Sequence, residues 1–172
     1  TLNRDELNKA EGQGVFGQVE WLADSWVVTA GLRHSRVKIS AIDNFLSNGD
    51  GGGSVTYANT SPVFGVTHYA SDNLNAYVNL GKGFETPTTA ETAYTNTGSA
   101  TPSGKFNPNL KASTSQQLEV GLKWAASAKS SHKAALFNIR TKDEIVVDIS
   151  RFGSTAYRNA PGTTRRGLEL SG

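Results

Sequence analysis

Residues 117–124, which read Q-L-E-V-G-L-K-W, constrain the fold more than any other stretch of the chain. Apolar side chains occupy every even position, and polar residues or glycine occupy every odd position. A period of two is typical of a β-strand with one apolar and one polar face, because helical spacing would scatter the apolar groups around the axis. The segment therefore predicts a strand, and the fold depends on what its apolar face meets.

The same pattern recurs along the chain and predicts an all-β protein of about seven strands. The predicted strands are residues 15–22, 26–40, 55–69, 74–80, 117–124, 135–148 and 157–170. Residues 1–13 are polar and are predicted to form a loop. Pro62 interrupts the third strand and predicts a bulge or a weakened stretch there.

The connections between these strands alternate in length. Short turns are predicted at residues 23–25, 71–73 and 126–131. Long loops are predicted at 41–53 and 87–114, and a medium loop precedes the last strand. Bacterial outer-membrane barrels have short periplasmic turns and long outer loops. The pattern therefore favours an antiparallel up-and-down meander that is part of a large transmembrane β-barrel.

All three tryptophans of the chain, Trp21, Trp26 and Trp124, lie beside predicted short turns. Each has the parity of the apolar face of its strand, which is the pattern of an aromatic girdle at a membrane surface. The alternative is a soluble or cell-surface β-sandwich binding module whose tryptophans cap the core. The barrel predicts an outward apolar band, whereas the sandwich predicts apolar faces buried against each other.

Composition and spacing argue against several other classes of function. The net charge is +2 with charges of both signs interspersed, so we expect no nucleic-acid partner. Cysteine is absent, and His34, His68 and His132 are scattered, so we expect no metal site, no cofactor and ordinary lumen or turn positions for the histidines. An outer-membrane enzyme would need a nucleophile and base, and no such pair is evident.

Four motifs over residues 14–171 resemble, in the same order, the motifs of a known receptor family. Residues 81–87, G-K-G-F-E-T-P, resemble the family's G-F-x-x-P segment, and residues 26–33 resemble its L-T-x-G-x-R strand. Residues 107–122 resemble N-P-x-L-x-P-E followed by E-x-G, although Ala112-Ser113 stands where Pro-Glu is frequent. Residues 166–169 resemble a later G-x-E strand. The ordered set of motifs therefore resembles TonB-dependent outer-membrane receptors.

The resemblance implies a barrel of about 22 strands with a plugged lumen in a bacterial outer membrane. Such a receptor binds a scarce nutrient, most often a ferric siderophore, and imports it when TonB pulls on an N-terminal plug. Outer-membrane lipid would cover the apolar face. Residues 1–172 are then expected to be part of the barrel of a longer receptor, with the plug and the remaining strands outside this sequence.

Five residues are the candidates for ligand contact. Tyr94, Lys105 and Phe106 lie in the long loop 87–114, and long loops usually carry function. Arg33 and Arg140 lie on strands, where they could line a path for an anionic chelate or pair with lumen carboxylates. No catalytic residue is predicted.

Overall fold

The computed structural model describes residues 4–172, which form one seven-stranded antiparallel sheet. The strands follow one another in the sheet in chain order, as in an up-and-down meander. They are β1 (Glu6–Ala23), β2 (Trp26–Asp43), β3 (Gly53–Ser71), β4 (Leu74–Glu85), β5 (Ser113–Ser127), β6 (Ser130–Arg151) and β7 (Ser154–Ser171). A short 3-10 helix, Leu46–Asn48, lies between β2 and β3. The predicted all-β meander is confirmed.

The two ends of the sheet differ as the connection lengths predicted. The turns after β1, β3 and β5 share one end, which we call the short-turn end. Loops 44–52 and 86–112 share the opposite end, the long-loop end. The seven strands form a single sheet, and the two facing sheets of the sandwich alternative are not seen in residues 4–172.

Several strand boundaries differ from the sequence-based expectation. β1 begins at Glu6 within the predicted loop 1–13, whose first three residues lie outside the described part of the chain. The long loops are shorter than predicted because β2 extends to Asp43 and β5 begins at Ser113. The prediction of a medium-length loop before β7 was wrong. Residues 152–153 form a tight turn in which both φ angles are positive, 50° and 80°, as a two-residue hairpin requires.

Pro62 does not produce the predicted bulge, because it pairs with Leu32 in an unbroken β2–β3 register. The predicted weakened stretch is found instead in the pairing of β3 with β4. The β3–β4 ladder runs only from the turn to the pair Val63–Gly81, so residues 53–62 of β3 have no partner in β4. The two strands therefore separate towards the long-loop end.

The described residues bury few side chains, and the main buried cluster lies at the long-loop end of the sheet. It consists of Ile39, Ala41, Tyr57 and Phe106, with Phe84 packed against it. No helix in residues 4–172 is both long enough and apolar enough to span a membrane.

Candidate functional site

The register of the ladders places the apolar residues of every strand on one face, which we call the outward face. On β4 and β5 the opposed pairs are Leu74–Trp124, Ala76–Leu122, Val78–Val120 and Leu80–Leu118. Most of these side chains stay exposed, with Val120 at 46% and Leu122 at 51%, whereas Leu74 and Ala76 are half-buried. The apolar surface is contiguous and uncovered, and this is what a lipid-facing wall requires.

Tryptophan and histidine side chains pair at the short-turn end of the outward face. The rings of Trp26 and His68 stack with centroids 4.2 Å apart, and those of Trp124 and His132 lie 5.6 Å apart. Trp21 shares this face because it is opposite Val28 in the ladder. His34 has the same parity and contacts Thr60 at 2.9 Å. The histidines were predicted at lumen or turn positions. None of the three lies on the inner face, and His68 and His132 lie at the short-turn end.

The opposite face, which we call the inner face, is polar and carries a hydrogen-bonded network. Tyr77 is the ladder partner of Gly121, and a β-carbon at Gly121 would meet the Tyr77 ring at 2.5 Å. The ring therefore lies across the glycine, and its hydroxyl donates to Glu119. Glu119 also pairs with Lys133, with Nζ and Oε1 3.4 Å apart. This network fixes the inner side chains of three neighbouring strands.

The β4–β5 loop folds back on the inner face at the long-loop end. The backbone N–H of Phe106 donates to Gly51 O at 2.8 Å, and that of Asn107 donates to Thr92 O at 2.8 Å. The buried hydroxyl of Tyr57 donates to Leu110 O at 2.7 Å. These bonds satisfy backbone groups that would otherwise be left unpaired. The loop is therefore a packed part of the wall.

Tyr94 anchors this loop to the start of the described chain. The guanidinium of Arg4 lies 4.5 Å from the centroid of the Tyr94 ring and donates to Ala93 O at 3.1 Å. Arg4 also pairs with Glu6, and that hydrogen bond is the main cause of the raised pKa of Arg4. A cation on an aromatic face contributes roughly 0.5–1 kcal/mol at an exposed site.

The five predicted ligand contacts are not brought together. Phe106 is 7% exposed and packs in the buried cluster, so its side chain is structural. Lys105 is exposed, and its carbonyl accepts from the hydroxyl of Thr95 at 3.0 Å. Arg33 lies on the inner face, since it is opposite Phe16 and Ser61. Arg140 lies on the outward face, since it is opposite Gln116, two residues beyond Leu118.

Arg33 lines a cavity of about 370 Å³ on the inner face, where β3 separates from β4. Lys82 lines the same cavity and donates to Asn59 Oδ1 at 3.0 Å. Neither cation has an acidic partner within residues 4–172. Phe16 and Phe84 supply apolar walls. The cavity therefore suits an anionic molecule with an apolar part.

Sequence reasoning did not select Lys82, because the fourth strand was predicted to end at residue 80. In the structure Lys82 belongs to β4 and has the parity of the outward face. Its ammonium group reaches Asn59 on β3 because the ladder between the strands ends at Gly81. The sequence signal that could have indicated this separation of β3 from β4 was Pro62, because it lies next to the last pair of the β3–β4 ladder. Within residues 4–172 no group of three or more histidine, aspartate or glutamate side chains is arranged to hold a metal ion.

A meander with an uncovered apolar face, an aromatic rim and a polar opposite face is a section of the wall of a transmembrane β-barrel. The family model described as TonB dependent receptor-like, beta-barrel, matches residues 2–172. The chain belongs to this family, whose members are receptors and transporters of the bacterial outer membrane.

Solved structures share this fold at low sequence identity. The FrpB iron transporter from Neisseria meningitidis (F3-3 variant) is 16% identical with a TM-score of 0.68, and the match covers 95% of this chain and 23% of FrpB. The copper transporter OprC is 21% identical with a TM-score of 0.72, and the match covers 94% of this chain and 26% of OprC. The ferric yersiniabactin uptake receptor FyuA from Yersinia pestis is 20% identical with a TM-score of 0.70, and the match covers 96% of this chain and 24% of FyuA. The chain thus spans about a quarter of each of these proteins.

Proposed function

We propose that residues 1–172 form part of the barrel wall of an outer-membrane receptor that binds a scarce nutrient and imports it with energy from TonB. We infer that the nutrient is a ferric siderophore. The plug that contacts TonB and the strands that close the barrel belong to the rest of the receptor. The family match over residues 2–172 is the observation that carries the proposal.

The cavity beside Arg33 and Lys82 supports an anionic chelate as the ligand class. Two cations without acidic partners attract anions, and a half-enclosed apolar wall strengthens that attraction because it lowers the local dielectric constant. The similar proteins whose names mention iron and ferric yersiniabactin agree with a metal chelate. OprC is named as a copper transporter, so a copper chelate is the second candidate.

Uptake by the full-length receptor tests this function. The receptor is expressed in a Gram-negative strain that lacks its own siderophore receptors, and cells are given ⁵⁵Fe-loaded catecholate, hydroxamate and citrate chelates, haem, or a copper chelate. We expect uptake of one iron chelate that stops when tonB is deleted. Uptake of none of the panel, or uptake that persists without TonB, would contradict the proposal.

A further inference from the structure

The wall of the sheet is open between β3 and β4 in its upper part, towards the long-loop end. The last pair of the β3–β4 ladder is Val63–Gly81. Further up, the hydroxyl of Tyr57 donates to Leu110 O, where the β4–β5 loop meets β3. Between these two levels residues 58–62 are paired with β2 but have no ladder partner in β4. We call this opening, which is about 20 Å tall at 3.3 Å per residue, the window.

Pro62 accounts for the lower limit of the window. The backbone N–H of Tyr69 donates to Ser25 O at 2.8 Å, in the direction of β2. Successive N–H groups of a strand point to opposite sides, so the nitrogen of Pro62 faces β4. Lys82 would be its partner in the β3–β4 register, but proline has no N–H to donate. The sequence therefore ends the ladder here, at the expense of backbone hydrogen bonds that a closed wall would make.

Side chains of β4 turn through the window towards the inner face. Lys82 and Phe84 have the parity of the outward face, yet both line the cavity that contains Arg33. The Nζ of Lys82 crosses the window to Asn59 Oδ1, and Phe84 packs against the buried cluster. Ser61 lines the same cavity from the β3 side. The cavity therefore reaches both edges of the window.

The window begins where the apolar band ends. Phe64 and Leu80 are an opposed outward pair, and both side chains are exposed. Lys82 is the next residue of the same parity on β4, about 6.6 Å further along the strand. A molecule held in the cavity thus lies one level above side chains that face lipid in the barrel.

We propose that this site takes an amphiphilic chelate, with its anionic head at Arg33 and Lys82 and its acyl chain passing through the window to Phe64 and Leu80. The head gains charge-assisted hydrogen bonds from two cations that have no acidic partner within residues 4–172. The chain leaves water for the apolar band. The side chain of Lys82 is a flexible stem, so it can move with the ligand. The inference rests on the proposed function, because it defines the ligand class of the same cavity.

The first test measures binding to the full-length receptor in detergent, with heat-dependent gel mobility as the check of folding. The probes are two synthetic ferric citrate-bis-hydroxamate chelates of equal charge, one with acetyl groups and one with octanoyl groups. Thr60→Trp adds an indole on the exposed side of β3 beside the window. Thr164→Trp is the matched control, since Thr164 is exposed on β7 at the level of Lys82, three strands away.

We expect the octanoyl chelate to bind about tenfold or more tightly than the acetyl chelate in the wild type and in Thr164→Trp, because its methylene groups are buried. This preference should disappear in Thr60→Trp, whose indole obstructs the window. Equal binding of the two chelates by the wild type overturns the inference, as does a preference that persists in folded Thr60→Trp.

A photolabel tests the route in the wild-type receptor and needs no variant. The octanoyl chelate carries a diazirine at the end of its chain, and labelled peptides are identified by mass spectrometry. We expect label at Phe64 or Leu80 that an excess of the acetyl chelate removes. Competed label confined to inner residues such as Phe16, or no competed label, overturns the window as the route.

The two proposals fail in different ways. Absence of binding by both chelates overturns the present inference, whereas the proposed function fails when no member of the uptake panel is imported. A receptor that imports a chelate through TonB but binds the acetyl and octanoyl forms equally keeps the proposed function and loses the acyl-chain site.

Discussion

Phe106 lies directly on the backbone of Gly53, and a β-carbon at Gly53 would stand 2.6 Å from Phe106 Cδ1. Glycine is required there because the ring of the β4–β5 loop occupies the space of a side chain. The contact joins the folded loop to the beginning of β3 at the point where β3 has no partner in β4. It therefore closes part of the gap between the two strands.

Gly53→Ala should displace Phe106 and loosen the β4–β5 loop. We expect a cost of roughly 1–3 kcal/mol, because added volume at a packed site forces neighbours to move. Hydrogen exchange of the loop amides in the full-length receptor measures this loss of loop stability, with the amides of Phe106 and Asn107 as reporters. Gly17→Ala is the matched control, since nothing lies within 4 Å of a β-carbon built there. Equal protection in both variants would contradict the packing described here.

Val120→Arg should destabilise the barrel far more than Gln117→Arg. Val120 is an outward residue in the middle of the apolar band, whereas Gln117 points to the inner face opposite Gly81. Arginine at mid-bilayer costs about 2–4 kcal/mol on the lipid face of a barrel, while an inner position remains polar. Folding titrations of the full-length receptor into lipid vesicles give the two values. A difference below about 1 kcal/mol would mean that the faces are assigned wrongly, because the reported penalty is at least twice that.

Arg33→Gln should weaken binding of an anionic ferric chelate by the full-length receptor. The removed charge lines the proposed cavity with Lys82, and a charge-assisted hydrogen bond contributes about 1.5–3 kcal/mol, so we expect a 10-fold to 100-fold rise in Kd. Lys129→Gln at the opposite end of the sheet is the charge-matched control. Isothermal titration with the chelate identified by the uptake assay gives both constants. An unchanged Kd in Arg33→Gln would exclude this cavity as the ligand site.

Acid should loosen loop 44–52 through Asp43. The carboxylate accepts from the backbone N–H of Gly51 and of Phe45, each at 2.9 Å, and these bonds lower the pKa of Asp43, with Gly51 the larger cause. Because the folded-state pKa lies below the unfolded value of about 3.9, the stabilisation is complete above that pH. It is lost as the pH falls through the lower, folded-state value.

Amide exchange at Gly51 and Phe45, corrected for intrinsic rates, measures this effect at pH 5 and at pH 2.5. We expect protection to fall between these values in the wild-type receptor. Asp43→Asn should show reduced protection at pH 5 and little further change, since the amide does not titrate in this range. A pH dependence that persists in Asp43→Asn would assign the effect to another group.

The isolated 172-residue chain should not be a stable soluble monomer. Its outward face is apolar and uncovered, and β1 and β7 are open edges with unpaired backbone groups. We expect aggregation or a requirement for detergent. Size-exclusion chromatography of the refolded chain without detergent, together with thermal melting, checks this. A sharp monomer peak with a cooperative melt would show that the sheet covers its apolar face by itself.

Strands that cross the apolar band were predictable because lipid on one side and a polar interior on the other impose strict alternation. The facing of Val120 and Glu119 followed from their own octapeptide. The first half of β1 was missed because it extends beyond the apolar band and is polar on both faces. Residues such as Lys9 and Glu11 therefore do not alternate with apolar residues. The β6–β7 turn was missed because Phe152 stands where glycine or asparagine is usual.

The candidate site was less predictable because it depends on contacts between distant parts of the chain. Nothing in the sequence near Phe106 shows that its ring is buried on Gly53. The face of Arg140 was ambiguous because β6 has apolar residues at both parities, with Phe137 turned inward over Gly167. The cavity of Arg33 and Lys82 requires the separation of β3 from β4, which only the register reveals.

The period of two along each strand restricts how the length of this chain can change during evolution. Deleting one residue within 117–124 would exchange the faces of all residues on one side of the deletion and put Glu119 or Lys123 into lipid. Changes of two residues preserve the faces and only shorten the crossing. Loops 44–52 and 86–112 have no such constraint from the ladder, so insertions and deletions should accumulate there among homologous receptors.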